Sequence, residues 1–242
     1  MISLFQLDWP LICFLLLVMV FSGLVHGTLG LGFPLVATPI IAIFFDVRAA
    51  ILLTLLPTVF VNIATIIGST DYAKIFLKFF VLVMFSFFGS IAGTFLLASV
   101  DPNPFRIVLA ALILIFLGSS YLGKIPQDLL EKHSLIAMIL FGTLAGLSAG
   151  TTNVMVAILL VYFLSLNLSR GSMVPILNTC FLVGKASQII VFAKMEMISI
   201  QSIMQSLPLA LAALAALLVG KKIQAGIPVE TYRQILEGLL GV

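Results

Sequence analysis

Apolar residues run in long blocks along this chain. Two of them, 9–45 and 134–169, contain no Asp, Glu, Lys or Arg. Each is interrupted near its middle by a run of small residues, GTLGLGFP (27–34) and GTTNVM (150–155). A charge-free block of roughly 36 residues would make a helix about 54 Å long, against a bilayer hydrocarbon core of about 30 Å. Each block is therefore expected to break or fold back inside a membrane, where freed backbone is tolerated only in protein or around a cavity. Reading the apolar runs between charges and Pro or Gly punctuation predicts ten helical segments: 10–26, 34–45, 49–68, 77–99, 105–122, 134–149, 154–167, 172–193, 198–219 and 229–242. The second and seventh are too short to span, and read as half-membrane helices. The tenth is also short.

The order of segments repeats. SGLVHGTL (22–29) aligns with AGLSAGTT (145–152), and Phe45-Asp46-Val47-Arg48 with Asn167-Leu168-Ser169-Arg170. NPFRIVLAALILIFLG (103–118) aligns with ETYRQILEGLLG (230–241), placing Arg106 beside Arg233. Three blocks in one order predict two five-segment units, 1–122 and 123–242, within one membrane domain.

Composition fixes the solvent. At 62% hydrophobic and 9% charged residues, the chain has too little polar surface to cover a water-soluble globule. The first nine residues carry no Lys or Arg, so the basic start of a cleaved leader is missing and the first segment is expected to be retained. Cys13 and Cys180 lack the spacing of a disulfide framework, a metal site or a CxxC pair, and read as packing residues. A net charge of +3 gives no case for nucleic acid.

The placing of that charge predicts topology, because Lys and Arg collect on the cytoplasmic side. If the first two segments together return the chain to its starting face, Lys74, Lys78, Lys124, Lys132, Arg170, Lys221, Lys222 and Arg233 share one side. Arg48, Arg106 and Lys194 then lie on the other, with the N-terminus outside. The second half then starts from the cytoplasm, so the expected fold is an all-α transmembrane bundle of two inverted repeats with broken or re-entrant short helices. A hairpin and a double crossing satisfy this count equally.

In an inverted pair the two breaks approach the midplane from opposite sides. The N-terminal turn of each following short helix leaves N–H groups unpaired, which favours an anion. The candidate binding residues are Gly27, Thr28, Gly30, Gly32 and Phe33 in the first break, and Gly150, Thr151, Thr152 and Asn153 in the second. Close helix packing is the competing account of the glycines, and is the preferred one for Gly89 and Gly93. Lys185, inside FLVGKASQIIVF, either attracts the anion or snorkels to the interface. His26 binds solute, carries a proton or hydrogen-bonds a neighbour. Asn62, Asn178 and Gln188 line a cavity or join helices, and Pro57 and Pro175 kink two of them. Asp46, Arg48 and Arg170 read as caps or interfacial anchors. No residue set reads as catalytic, metal-binding or cofactor-holding.

Together the glycine-rich break GTLGLGFPLVATPII, the charged turn and polar helix DVRAAILLTLLPTVFVNIATIIGS, and their recurrence after a mid-chain loop resemble the TauE/SafE family of membrane proteins. The resemblance implies a secondary transporter of sulfite, sulfonates or related organic anions in a bacterial or archaeal inner membrane. It departs from the family where the second break, Gly150-Thr151-Thr152-Asn153, carries one glycine in place of several. The expected activity is export of a small anion by alternating access; an anion channel and a membrane thiol redox protein are the alternatives. Expected partners are the anionic solute and the lipid bilayer, with proton coupling and a homodimer left open.

Overall fold

A computed structural model describes residues 8–67, 69, 71–118 and 125–226. Among them the chain is helical throughout, with twelve helices and no strand. The predicted segment 229–242, with Arg233, and the cation at Lys124 lie outside the described residues. Six helices are long and apolar enough to cross a membrane: α1 (Trp9–Leu29), α3 (Val47–Ile66), α5 (Phe80–Ser99), α8 (Ser134–Thr152), α10 (Arg170–Lys194) and α12 (Leu207–Ala225). Between them lie α2 (Phe33–Phe44), α4 (Tyr72–Lys78), α6 (Pro104–Gly118), α7 (Gln127–Lys132), α9 (Val156–Ser165) and α11 (Ile200–Gln205). Large apolar side chains such as Leu17, Ile43, Phe95, Ile107 and Leu114 stand exposed around the bundle. In a membrane these faces meet lipid, and the chain is an integral membrane protein.

Both interrupted blocks fold as hairpins. After α1, Gly30 adopts φ 79° and Gly32 φ 102°, and α2 runs back until Phe44 meets Phe14, ring centroids 4.8 Å apart. After α8, Asn153 takes φ 67°, and α9 returns until Tyr162 stacks on Phe141 at 4.9 Å. At roughly 18 and 15 Å, α2 and α9 are too short to cross alone.

Two glycine seams hold the bundle together. Along one seam α1 lies on α12: a Cβ added at Gly23 would strike the Ala213 carbonyl, and one at Gly27 the Leu217 carbonyl. Along the other, α8 lies on α5, where Gly142, Gly146 and Gly150 meet the carbonyls of Leu82, Ser86 and Ser90 in turn. Residue numbers rise together along both seams, so each pair is parallel. Without a water-driven hydrophobic force between lipid-solvated helices, such backbone contact and dispersion supply the association. Gly89 and Gly93 pack here too, against Thr143 and Leu147. Gly27 and Gly150, assigned to the breaks by sequence, are in-helix seam residues, and the breaks proper are 30–32 and 153–155.

Cations close the helix ends. Arg48 donates to the Leu97 and Val100 carbonyls at the end of α5, at 2.6 and 2.5 Å, and Arg106 to the Phe45 carbonyl after α2 at 2.8 Å. Lys221 donates to the Ala64 carbonyl near the end of α3 at 2.6 Å. Asp46 accepts from the Ala49 N–H and caps α3. Unpaired terminal carbonyls and the helix dipole favour cations there. Arg48 and Arg106 therefore sit together at one end of the bundle and Lys221 at the other, as the charge count requires. Cys13 is exposed on α1, against the packing role expected of it, whereas Cys180 is buried in α10.

Candidate functional site

Each hairpin tip is held by side chains from the other half of the chain. At the first tip, the His26 Nδ1 accepts the Phe33 N–H at 3.2 Å. Its Nε2 lies 3.1 Å from the Thr65 hydroxyl, which already donates to the Val61 carbonyl. The ring proton therefore sits on Nε2. Asn178 of α10 donates to the Gly30 carbonyl at 2.9 Å. Pro34 has no N–H to offer and Phe33 has spent its own, but the N–H groups of Leu31, Gly32 and Leu35 find no acceptor among the described residues.

The second tip is different. Asn153 donates through Nδ2 to Thr38 of α2 at 2.9 Å and to Thr54 of α3 at 3.2 Å. Its Oδ1 accepts from the Lys185 ammonium at 2.6 Å, and Lys185 donates again to Gln188 Oε1 at 2.7 Å. Gln188 donates through Nε2 to the Ala149 carbonyl at 2.9 Å. Lys185 is 1% exposed, so it does not snorkel, and no carboxylate pairs with it among the described residues. An ammonium has three donors, of which two are spent.

Beside Lys185 the α9 backbone offers more. Among the described residues, the N–H groups of Val154, Met155, Val156, Ala157 and Ile158 find no backbone or side-chain acceptor, the next bond being Leu159 N–H to the Met155 carbonyl. Val154 to Ala157 are all buried. The Ser148 hydroxyl donates to the Val154 carbonyl and holds the turn. Buried backbone donors are seldom left unpaired, and several converging at a helix start form an anion-binding geometry.

Not every predicted residue joins this arrangement. Thr151 and Thr152 direct their hydroxyl protons to the carbonyls of Leu147 and Ser148, and Thr28 does likewise to Leu24 and Val25, so none is a spare donor. Gly32 needs its positive φ rather than space, since a Cβ there would meet nothing. Asn62 is buried without a hydrogen-bond partner among the described residues. The two tips also do not coincide. Asn178 marks the first and Lys185 the second, about 10 Å apart along α10 and on either side of its middle. The reason is length: α1 and α8, of 21 and 19 residues, are each long enough to cross a membrane before the break.

Thr38 and Thr54, which fix Asn153, escape sequence reading. Threonines in apolar helices ordinarily bond their own backbone, as Thr54 also does to Ala50. A cleft of about 370 Å³ opens at the Arg48 end between α3 and residues 196–206, lined by Arg48, Leu52, Leu56, Glu196, Ser202 and Gln205. It descends along α3 past the turn that carries Thr54.

The family model described as sulfite exporter TauE/SafE matches residues 15–242, which takes in both hairpins and both seams. The chain belongs to the TauE/SafE family. No curated protein and no solved structure matches it. Membership agrees with the resemblance carried by the two break sequences. Within this TauE/SafE chain both cysteines are free thiols, one exposed and one buried.

Proposed function

We propose that this TauE/SafE protein carries a small anion such as sulfite or a sulfonate, and that the anion binds at the second hairpin tip. Two observations support this reading: the buried N–H groups of residues 154–157 find no acceptor among the described residues, and Lys185, with one proton unspent, holds Asn153 directly before them. Tetrahedral and pyramidal oxyanions present three oxygens to such a donor set, and the fixed ammonium supplies charge where hydration is lost. The hairpins are the mobile parts of two inverted repeats, 1–122 and 123–242, rocking against the seams to expose the tip to each side in turn. The cleft beside Arg48 and Glu196 is the route from the outer face. With the cell interior negative, anion efflux is driven by about 2.3 kcal/mol per charge per 100 mV, so export needs no co-ion.

Counterflow in proteoliposomes tests the proposal. Sulfite, sulfonates and carboxylates are offered in turn to the purified protein. Saturable exchange of an oxyanion is expected, and a channel would give neither saturation nor exchange. Lys185→Gln keeps a donor but removes the charge, and should lower exchange about ten- to a hundredfold, the worth of a charged hydrogen bond. Unchanged exchange in that variant would refute the site.

A further inference from the structure

Thr38 bonds differently from the other described threonines. Each of those nine donates its hydroxyl proton to the carbonyl four places back in its own helix, the ordinary arrangement in an apolar segment. Thr38 makes no such bond among the described residues, although it lies inside α2 with Pro34 four places behind it. It is 0% exposed, and its hydroxyl oxygen accepts from Asn153 at 2.9 Å. That partner belongs to the other half of the chain. Thr38 stands on α2, the returning arm of the first hairpin, and Asn153 is the tip of the second. Their bond therefore joins the two hairpins directly.

The direction of the Asn153 amide follows from its neighbours. A side-chain amide donates from its nitrogen and accepts at its oxygen, and the hydrogen-bond network decides which end faces which partner. Thr54 has given its proton to the Ala50 carbonyl at 2.9 Å, so towards Asn153 its oxygen only accepts. Nδ2 must then face α3 and, with its second proton, Thr38 of α2. Oδ1 is left to face α10, where it accepts from the Lys185 ammonium at 2.6 Å. Removing either hydroxyl leaves one buried amide proton without its partner. With both removed, nothing on α2 or α3 opposes a turned amide, which would present Nδ2 to the ammonium and take away one of its two acceptors. We propose that Thr38 and Thr54 are positioning residues for Lys185, acting through the Asn153 amide, so that the aim of the ammonium depends on where the first hairpin stands. In the anion carrier proposed above, on which only this sentence rests, withdrawal of α2 loosens the charged partner of an anion held at the second tip and favours its release.

Two measurements test the relay, and one of them involves no transport. In thermal unfolding of the purified full-length protein, Thr38→Val, of nearly the same shape but without the oxygen, should lower the midpoint by about 2–4 °C. In the Asn153→Gly background it should lower it no further. An equal loss in both backgrounds means that Thr38 stabilises through other contacts, and overturns the proposal. The second measurement is counterflow of sulfite, or of methanesulfonate where sulfite is not exchanged. Thr38→Val should raise the half-saturating concentration about tenfold at an unchanged maximal rate. Thr38→Ser keeps the acceptor oxygen and should return it to within about twofold of the parent. Added to Lys185→Gln, Thr38→Val should change nothing more. Half-saturation unmoved by Thr38→Val, or moved equally in the Lys185→Gln background, overturns the proposal as well. Should Thr38→Val not fold, Thr54→Val carries both measurements. A parent that exchanges no anion removes the carrier reading, and the unfolding cycle then decides the relay alone.

Discussion

A left-handed backbone costs an ordinary L residue roughly 1–2 kcal/mol, and Asn153 holds φ 67° while its amide bonds Thr38, Thr54 and Lys185. Two substitutions separate backbone from amide. Asn153→Gly keeps the turn and deletes the amide, leaving Lys185 one acceptor short, so anion exchange should fall sharply with a stability loss of about 1.5–3 kcal/mol. Asn153→Ala deletes the same amide and adds the backbone penalty, so it should unfold about 1 kcal/mol more readily than the glycine variant. Denaturation of the two variants side by side checks the difference. If they are equally stable, the left-handed turn is not what Asn153 provides. His26 holds its tip by other means, an imidazole nitrogen taking the Phe33 N–H.

At the scale of helices, the glycines on the seams carry the assembly. A Cβ at Gly146 would collide with the Ser86 carbonyl and approach the Ser90 nitrogen at 2.8 Å, both backbone atoms that cannot yield. Gly146→Ala should therefore destabilise by about 1–3 kcal/mol in detergent unfolding. Gly171, early in α10, has nothing within 4 Å, so Gly171→Ala should be neutral or gain about 0.4–1 kcal/mol. Equal effects at the two positions would remove the seam from the account. Most segment boundaries among the described residues were readable from sequence to within a few residues, because charges and prolines mark where lipid ends, but the ninth, 198–219, divides at Ser206 and its long helix runs on past Lys221 and Lys222 to Ala225, and the short helices α4 and α7 were not foreseen. The breaks were readable only approximately. Glycine at four-residue spacing serves packing, glycine at a turn serves backbone freedom, and composition does not distinguish Gly27 from Gly30. Lys185 stood out because a cation in an apolar helix is costly, and Asn153 and Gln188 gather round it. Thr38 and Thr54 did not stand out, since what matters there is which helix lies opposite, and only the fold supplies that.

For the whole molecule, the seams tie the halves together crosswise, α1 to α12 and α8 to α5, and α10 reaches both hairpin tips. Neither half contains a complete seam. Two fragments divided between residues 118 and 125 should thus each be unstable alone and recover anion exchange when made together, as co-expression and counterflow would measure. Activity from a single fragment would contradict the crosswise arrangement. The same pairing has a consequence for biosynthesis. The glycine-lined face of α1 needs a helix, α12, that is translated nearly two hundred residues after it. Until then that face must wait in lipid or with an insertion factor, so maturation is governed by the arrival of α12, and a stop codon ahead of α12 strands α1 as well.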